Sequence, residues 1–460
     1  MKTFSVVSLT AAIWLIDAGN LRAQAGDSAV IAGIFSEVLH HGEAHENLRV
    51  LCKQIGHRLA GSPAADSAIA WGKNLLESYH FDRVTLMPVE VPQWIRGEEY
   101  AWYSYNDQQY KVPVTALGGS VGTQGEITAR VVEARTIEEL RQMDPEVVKG
   151  KIVFLNKPMD PVAINTGTAY GGAYDIRGSG PSEAARKGAV ACIIRSLSTA
   201  EDRFPHTGAT RYQEDVPKIP GAALSVVDAR ALSAALKENP LLTFTLFLSC
   251  RDLPRKTQYN VIGDLTGTEF PDRYILVGGH LDSWDIGEGA NDDGAGIVHS
   301  IEALRALRAV GYQPRHSLRV VLFINEEFGN DGGTTYAENC HSNGVYHVAA
   351  IESDGGGFSP RGFSMQGTDK QFEQFKRWSG LLEPYNLHAF RRGGSGVDIG
   401  PLKNGQVALF GLTVDSQRYF DYHHSSNDIW ENVNKRELLM GAASMATLVY
   451  LIDQSGIPHE

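Results

Sequence analysis

The chain has 460 residues, 43% hydrophobic and 21% charged, a globular balance long enough for two or three domains with large cores. Its formal net charge of −12 speaks against nucleic acid or an anionic membrane surface as the main partner. None of its four cysteines, Cys52, Cys192, Cys250 and Cys340, has zinc-ribbon spacing, so buried thiols or one or two disulfides are expected.

In chain order, Lys2, an apolar run over 4–16 and the small-x-small triplet Ala23-Gln24-Ala25 read as a cleaved export signal over residues 1–25. The expectation is an exported protein, secreted or periplasmic. The apolar run is too short to span a membrane, and no later stretch reads as a span. Residues 29–80 have helical periodicity with short breaks. Ala64–Tyr79 is predicted as a helix entered through Ser62-Pro63. Val84–Val89 is predicted as a strand, with Pro88 marking an edge.

From about Trp94 to Arg255 the texture changes to short β-like runs between Gly, Asp and Pro, such as 125–132 and 150–155. A short helix, 182–187, stops at Gly188 and leads into a buried strand, 189–194. From Thr257 on, strands alternate with helices. Strands are expected at 259–265, 274–277, 318–324, 348–351 and 407–414, and helices at 295–308, 370–381 and 435–452. That alternation predicts an α/β fold with a mainly parallel, mixed sheet flanked by helices. The organisation expected is a main domain in two parts, 26–95 and 257–460, around a β-rich insertion, 96–256.

Several strand ends carry polar chemistry. The strand at Tyr274 runs into His280 and Asp282, and its loop holds Asp285, Glu288, Asp292 and Asp293 among glycines that admit close backbone approach. Later strands lead to Asn325-Glu326-Glu327, to Glu352-Ser353-Asp354 and to Tyr422-His423-His424-Ser425. One such tip means little, since charged strand ends are mostly solvated. Four tips of one sheet converge on one crevice. Imidazoles with carboxylates suit zinc or a related divalent ion. Two His and three acids exceed one four-coordinate zinc that keeps a water, and suit two ions sharing a carboxylate. Of the adjacent Glu326 and Glu327, one can bind metal while the other stays free as a base.

These motifs, Gly279-His280-Leu281-Asp282-Ser283-Trp284-Asp285, Gly289-Ala290-Asn291-Asp292-Asp293-Gly294-Ala295-Gly296, Asn325-Glu326-Glu327 and Tyr422-His423-His424, resemble those of the secreted co-catalytic zinc peptidases, in particular the carboxypeptidase Q type. The likeness runs over nearly the whole chain after the signal. Through Val148-Lys149-Gly150-Lys151-Ile152-Val153, the insertion resembles a protease-associated domain. The resemblance implies two Zn2+ per chain, one on His280 and Asp354, the other on Glu327 and His424, with Asp292 bridging. It implies Glu326 as general base and Asp282 holding the His280 ring. Asp293 is then left to cap the next helix, and Glu352 competes with Asp354.

In an extended segment consecutive side chains point apart, so one of His423 and His424 is expected to reach the ions. The resemblance selects His424. His423, Tyr422 and Ser395, the last in a Gly-rich loop at 393–396, are candidates for substrate contact, and Tyr419 and Tyr422 for an oxyanion donor. Asp428 either orients His424 or caps a helix.

The resemblance implies an exopeptidase acting on dipeptides or short peptides, working as a homodimer. A broader aminopeptidase would use the same metal set. A non-catalytic receptor-like protein on this scaffold would have eroded ligands, and a glutaminyl cyclase would lack the insertion and the full two-metal set.

Overall fold

The computed structural model describes residues 26–106 and 108–458, so the expected export signal lies outside the described residues. Strands among the described residues form two eight-stranded sheets. The first holds β1 (Arg83–Ile95), β2 (Arg251–Leu265), β3 (Phe270–His280), β4 (His316–Phe323), β5 (Tyr346–Glu352), β6 (Pro360–Gln366), β7 (Ala389–Arg392) and β8 (Ala408–Val414). Their spatial order is β1-β2-β4-β3-β5-β8-β6-β7. The centre, β4-β3-β5-β8, is parallel; β2 runs antiparallel to both β1 and β4, and β6 pairs antiparallel with β8 and parallel with β7. Every residue of β4 is buried, as expected of a strand covered on both faces. Pro88 sits in β1, an edge strand, where its missing N–H costs no ladder bond.

Helix α1 (Pro63–Ser78) starts where Ser62 accepts the Ala65 N–H and Pro63 occupies the first turn. Helices α2 (Ala295–Ala309) and α3 (Asp331–Ser342) follow β3 and β4, and α4 (Lys435–Ser455) closes the fold against α2. By length and composition α4 is apolar enough to cross a membrane, which corrects the expectation that no such stretch exists. Its apolar window is 83% buried inside the protein, so its composition reflects the core it fills.

The second sheet is built wholly between Glu99 and Leu248. The chain departs along β1 and returns along β2, paired from Arg83↔Asp264 to Ile95↔Arg251, so both ends of the intervening segment lie side by side. Its apolar core, with Phe154, Ile193, Phe244 and Leu246, also takes in Leu59, Trp94 and Trp284 from outside that segment. The two sheets therefore share a packed junction, and Trp284 brings the loop after β3 into it. All four cysteines are buried free thiols.

Candidate metal centre

Strand β3 delivers His280 at its last position, with Gly278 and Gly279 before it. The loop that follows is clasped from behind by Arg58, which is fully buried. Its guanidinium donates to the carbonyls of Leu281 (2.5 Å), Glu288 (2.7 Å) and Gly289 (2.9 Å). Asp285 and Glu288 point away from the cluster, to Arg96 (2.5 Å) and Lys53 (2.7 Å). The loop then turns Asp292 inward. Asp293 accepts from Gly296 N at the head of α2 (2.9 Å) and from His280 N (3.1 Å), so it caps the helix and fixes the strand end together.

Asp292 lies at the centre. Its Oδ1 is 3.2 Å from His280 Nε2, and its Oδ2 is 3.2 Å from His424 Nε2 and 3.6 Å from His423 Nε2. Asp354 reaches His280 Nε2 at 3.7 Å from one side, and Glu327 reaches His424 Nε2 at 3.1 Å from the other. Two groups of ligand-capable atoms share Asp292: His280 with Asp354, and His423 with His424. Glu352 is not part of the cluster; its carboxylate accepts from Val397 N (2.8 Å) and Ile399 N (2.9 Å).

The arrangement fits cations. Glu327 Oε1 and Asp354 Oδ1 are buried without a hydrogen-bond partner, and the donor set of imidazoles and carboxylates suits zinc. Burial, then the charges of Asp354, Glu327 and Asp292, push Glu326 well above the usual carboxylate range, although His280 opposes them. Burial also raises Glu327 and Asp354. Against burial, hydrogen bonds to Asp292 and Asp354 hold His280 well above its ordinary value, and Glu327 and Asp292 bring His424 up to about 9. So much negative charge in a dry place is relieved by bound positive ions.

Three expectations change. His423 and His424 do not diverge: their rings stack at 3.5 Å and 17°, and both face Asp292. The reason is local, because His424 takes a left-handed φ of 61°, which breaks extended alternation. Asp428 neither orients His424 nor caps a helix. It is buried and accepts from Asn291 N (2.8 Å), Asn291 Nδ2 (3.0 Å) and Asp292 N (3.1 Å), so it holds the backbone that aims Asp292. Asp282 meets the His280 ring chiefly through its backbone carbonyl, 3.1 Å from Nδ1, its carboxylate being 3.8 Å away. That carboxylate accepts from Glu326 N (3.1 Å) and Glu327 N (3.4 Å) and so shapes the turn carrying both glutamates.

A cavity of about 440 Å³ opens over the cluster. Asp292, Glu326, Glu327, Asp354, Tyr419, His423 and His424 line it, together with Tyr170, Tyr174, Arg177, Thr210 and Arg211 from the Glu99–Leu248 segment. The carboxylate of Glu326 makes no hydrogen bond or ion pair among the described residues. Burial and the surrounding acids keep the Tyr419 phenol well above its ordinary pKa, so it stays a proton donor. Tyr422 does not line the cavity; it packs toward Phe358, with ring centroids 6.3 Å apart. Ser395 is also outside it, buried against Gly411.

Residues 260–449 match the model of peptidase family M28. The chain is similar to carboxypeptidase Q of Bos taurus, 34% identical over 410 residues that cover 89% of this chain and 85% of that one. The chain belongs to this family. Carboxypeptidase Q of Xenopus laevis is 36% identical over 406 residues, covering 85% of this chain and 84% of that one. A solved peptidase M28 precursor from Shewanella amazonensis superposes with a TM-score of 0.89 at 32% identity, over 95% of this chain and 99% of that one. Membership makes the chain a metallo-exopeptidase, and the mixed sheet flanked by helices is the family fold.

The sequence reading missed what the Glu99–Leu248 segment brings to the cavity and its histidines. Arg177 lies 3.2 Å from His424 Nδ1 and donates to Tyr170 Oη (2.5 Å). Thr207 N donates to His424 O (2.8 Å), and a ring nitrogen of His206 meets His423 O at 2.6 Å. Arg177 and His424 are 247 positions apart, and no motif spacing links them.

Proposed function

We infer that this M28 member is an exported dinuclear zinc exopeptidase that hydrolyses dipeptides or other short peptides. The observation that carries this reading is Asp292 standing between two half-sites whose outer acids, Glu327 and Asp354, keep unpartnered buried oxygens, while Glu326 faces the cavity unpaired. His280 and Asp354 would hold one ion, Glu327 and His424 the other, with Asp292 shared and His423 beside the second. Zinc, when bound, supplies positive charge that polarises a carbonyl and a water acidic enough to attack near neutral pH. Glu326 takes a proton from the attacking water and returns it to the leaving amine. Tyr419 presents a phenol O–H to the oxygen on which negative charge develops. Asp282 and Asp428 keep the glutamate turn and Asp292 in place.

The Glu99–Leu248 sheet is read as a protease-associated domain, and assembly as a homodimer follows from the same resemblance. Purified protein should hold two zinc ions and cleave dipeptides. Glu326→Gln should keep the metal and lose about 10²- to 10⁴-fold in kcat, the usual worth of a general base. Full activity in that variant rejects the mechanism.

A further inference from the structure

A second cavity of about 440 Å³ lies wholly within the Glu99–Leu248 segment and shares no lining residue with the one over the metal cluster. It opens at the C-terminal edge of three parallel strands, Ile127–Ala134, Ile152–Leu155 and Ala191–Arg195. Ala134 pairs with Leu155, and Leu155 with Ile194, so Arg135, Asn156 and Arg195 form one row across that edge. Side chains two apart on a strand share a face. Glu133 meets Ser233 on the helix Val226–Glu238, and Phe154 and Ile193 share a core with Leu232 and Leu236 of the same helix. Arg135, Asn156 and Arg195, two residues further on, therefore continue toward that helix. From it come Arg230, Ser233 and Lys237, spaced three and four apart on one face. The carboxyl edge of parallel strands is where open α/β sheets take ligands.

The lining is cationic although the chain is acidic overall. Arg230 is paired with Glu201, but Arg135, Arg195 and Lys237 have no carboxylate partner among the described residues. The two acids at hand are engaged: Glu238 accepts from Tyr105 Oη, and Glu133 from Asn156 Nδ2 (2.7 Å) and Ser233 Oγ (2.8 Å). Burial, then the charge of Arg230, lowers the Arg195 guanidinium from its ordinary pKa, although Glu201 opposes them. Unmatched positive charge in such a place is relieved by a bound anion. Asn156 is only 9% exposed, and with its Nδ2 committed to Glu133 its Oδ1 has no donor. An orphaned acceptor beside three unmatched cations suits a ligand that carries both an anionic group and a hydroxyl.

We propose that this crevice binds a small, soluble phosphomonoester that bears hydroxyls, of the sugar phosphate or polyol phosphate class. A phosphate dianion offers three terminal oxygens, enough for two guanidinium forks and an ammonium, whereas a single carboxylate leaves a cation unmatched. The hydroxylated part of the ligand then lies against Asn156 and Ser233. A volume of about 440 Å³ is in the range of small-molecule sites. This is a binding site, with no reacting group in it, and it stands independently of the metal centre and of the peptidase reading.

The test is calorimetric titration of the purified protein with glucose 6-phosphate, inorganic phosphate and glucose, for wild type, Arg195→Met and Lys237→Met. Wild type should bind glucose 6-phosphate more tightly than inorganic phosphate and should not bind glucose. Arg195→Met should weaken glucose 6-phosphate by roughly 10- to 100-fold, the worth of a charge-assisted hydrogen bond. Lys237→Met should weaken it by about 2- to 5-fold, as for an exposed ion pair. Lys237 is exposed on the helix surface, so its variant decides the matter if Arg195→Met does not fold. No binding of glucose 6-phosphate by wild type at millimolar concentration overturns the proposal. So does wild-type affinity in both variants, which puts the phosphate elsewhere, the metal centre included. Inorganic phosphate binding as tightly as glucose 6-phosphate overturns the ligand class, because nothing then meets Asn156.

Discussion

Asp282→Asn tests whether the acid after His280 acts on the metal or on the base. Asp282 is fully buried, and its carboxylate receives two backbone N–H groups, from Glu326 at 3.1 Å and Glu327 at 3.4 Å. Asparagine keeps one acceptor oxygen and turns an amide N–H₂ toward the second donor, which is left stranded. A stranded buried donor costs about 1–3 kcal/mol, and weakening the remaining bond from charged to neutral adds about 1 kcal/mol. The turn relieves this by shifting, and a displacement of about 1 Å in a catalytic group is worth about 10²-fold in rate. The variant should therefore lose about 2–4 kcal/mol of stability in urea and about 10²-fold in kcat, with KM and zinc content near wild type. Steady-state kinetics on a dipeptide, with metal analysis of the same samples, reads both. Wild-type kcat in a folded Asp282→Asn enzyme refutes the argument. Activity lost in strict proportion to zinc refutes it differently, by placing the effect on metal binding, through His280 or through Glu327 on the same turn.

Three further outcomes are expected. Because both oxygens of Asp292 face imidazoles, Asp292→Asn should empty both metal positions together and abolish turnover; metal analysis showing one ion fully retained contradicts a shared ligand. Arg58→Met strands two buried carbonyls and one half-buried one at roughly 1 kcal/mol or more each, so denaturation should show a loss of about 2–4 kcal/mol, and an unchanged midpoint rejects the clasp. Burial, then the charge of Arg319, lowers His347 to about 3. The unfolded chain therefore binds this proton first, and stability falls as pH drops from about 6.5 toward 3, by up to ~1.4 kcal/mol per unit. His347→Gln should flatten that acid arm in urea titrations at several pH values; an identical slope counts against it.

The parts of the fold legible in the sequence are those where burial leaves a one-dimensional trace. Strands β3, β4 and β5 each hold a short apolar run, Ile275–Val277, Val320–Phe323 and Val348–Ile351, where both faces are covered, and α1, α2 and α4 show their periodicity. Strands β6 and β7 left no such trace: Pro360 and Gly362 interrupt the first, and Ala389–Arg392 is four residues with an arginine pair. The polar helix α3, with Gly332 and Gly333 in its first turn, was unreadable for a similar reason. Within the cluster, residues at strand tips could be found because sheet topology gathers them. What a carboxylate does there could not, since the roles of Asp282 and Asp428 depend on backbone N–H groups whose positions only the folded turns define. Nor could the stacking of His423 on His424, which follows from a single positive φ.

The contact between the 206–207 segment and the paired histidines His423 and His424 bears on how the cluster is assembled. An isolated β-bridge joins His206 to Ser425, and the backbone of His423 and His424 is tied to the same segment. More than two hundred residues of chain separate these partners, and such distant pairings form late in folding. His423 and His424 owe their backbone ties to this segment, whereas His280 is seated by its own strand and by Asp293. The second sheet thereby reaches the cluster from outside the strands that carry its acids, and holds two of its imidazoles by their backbone.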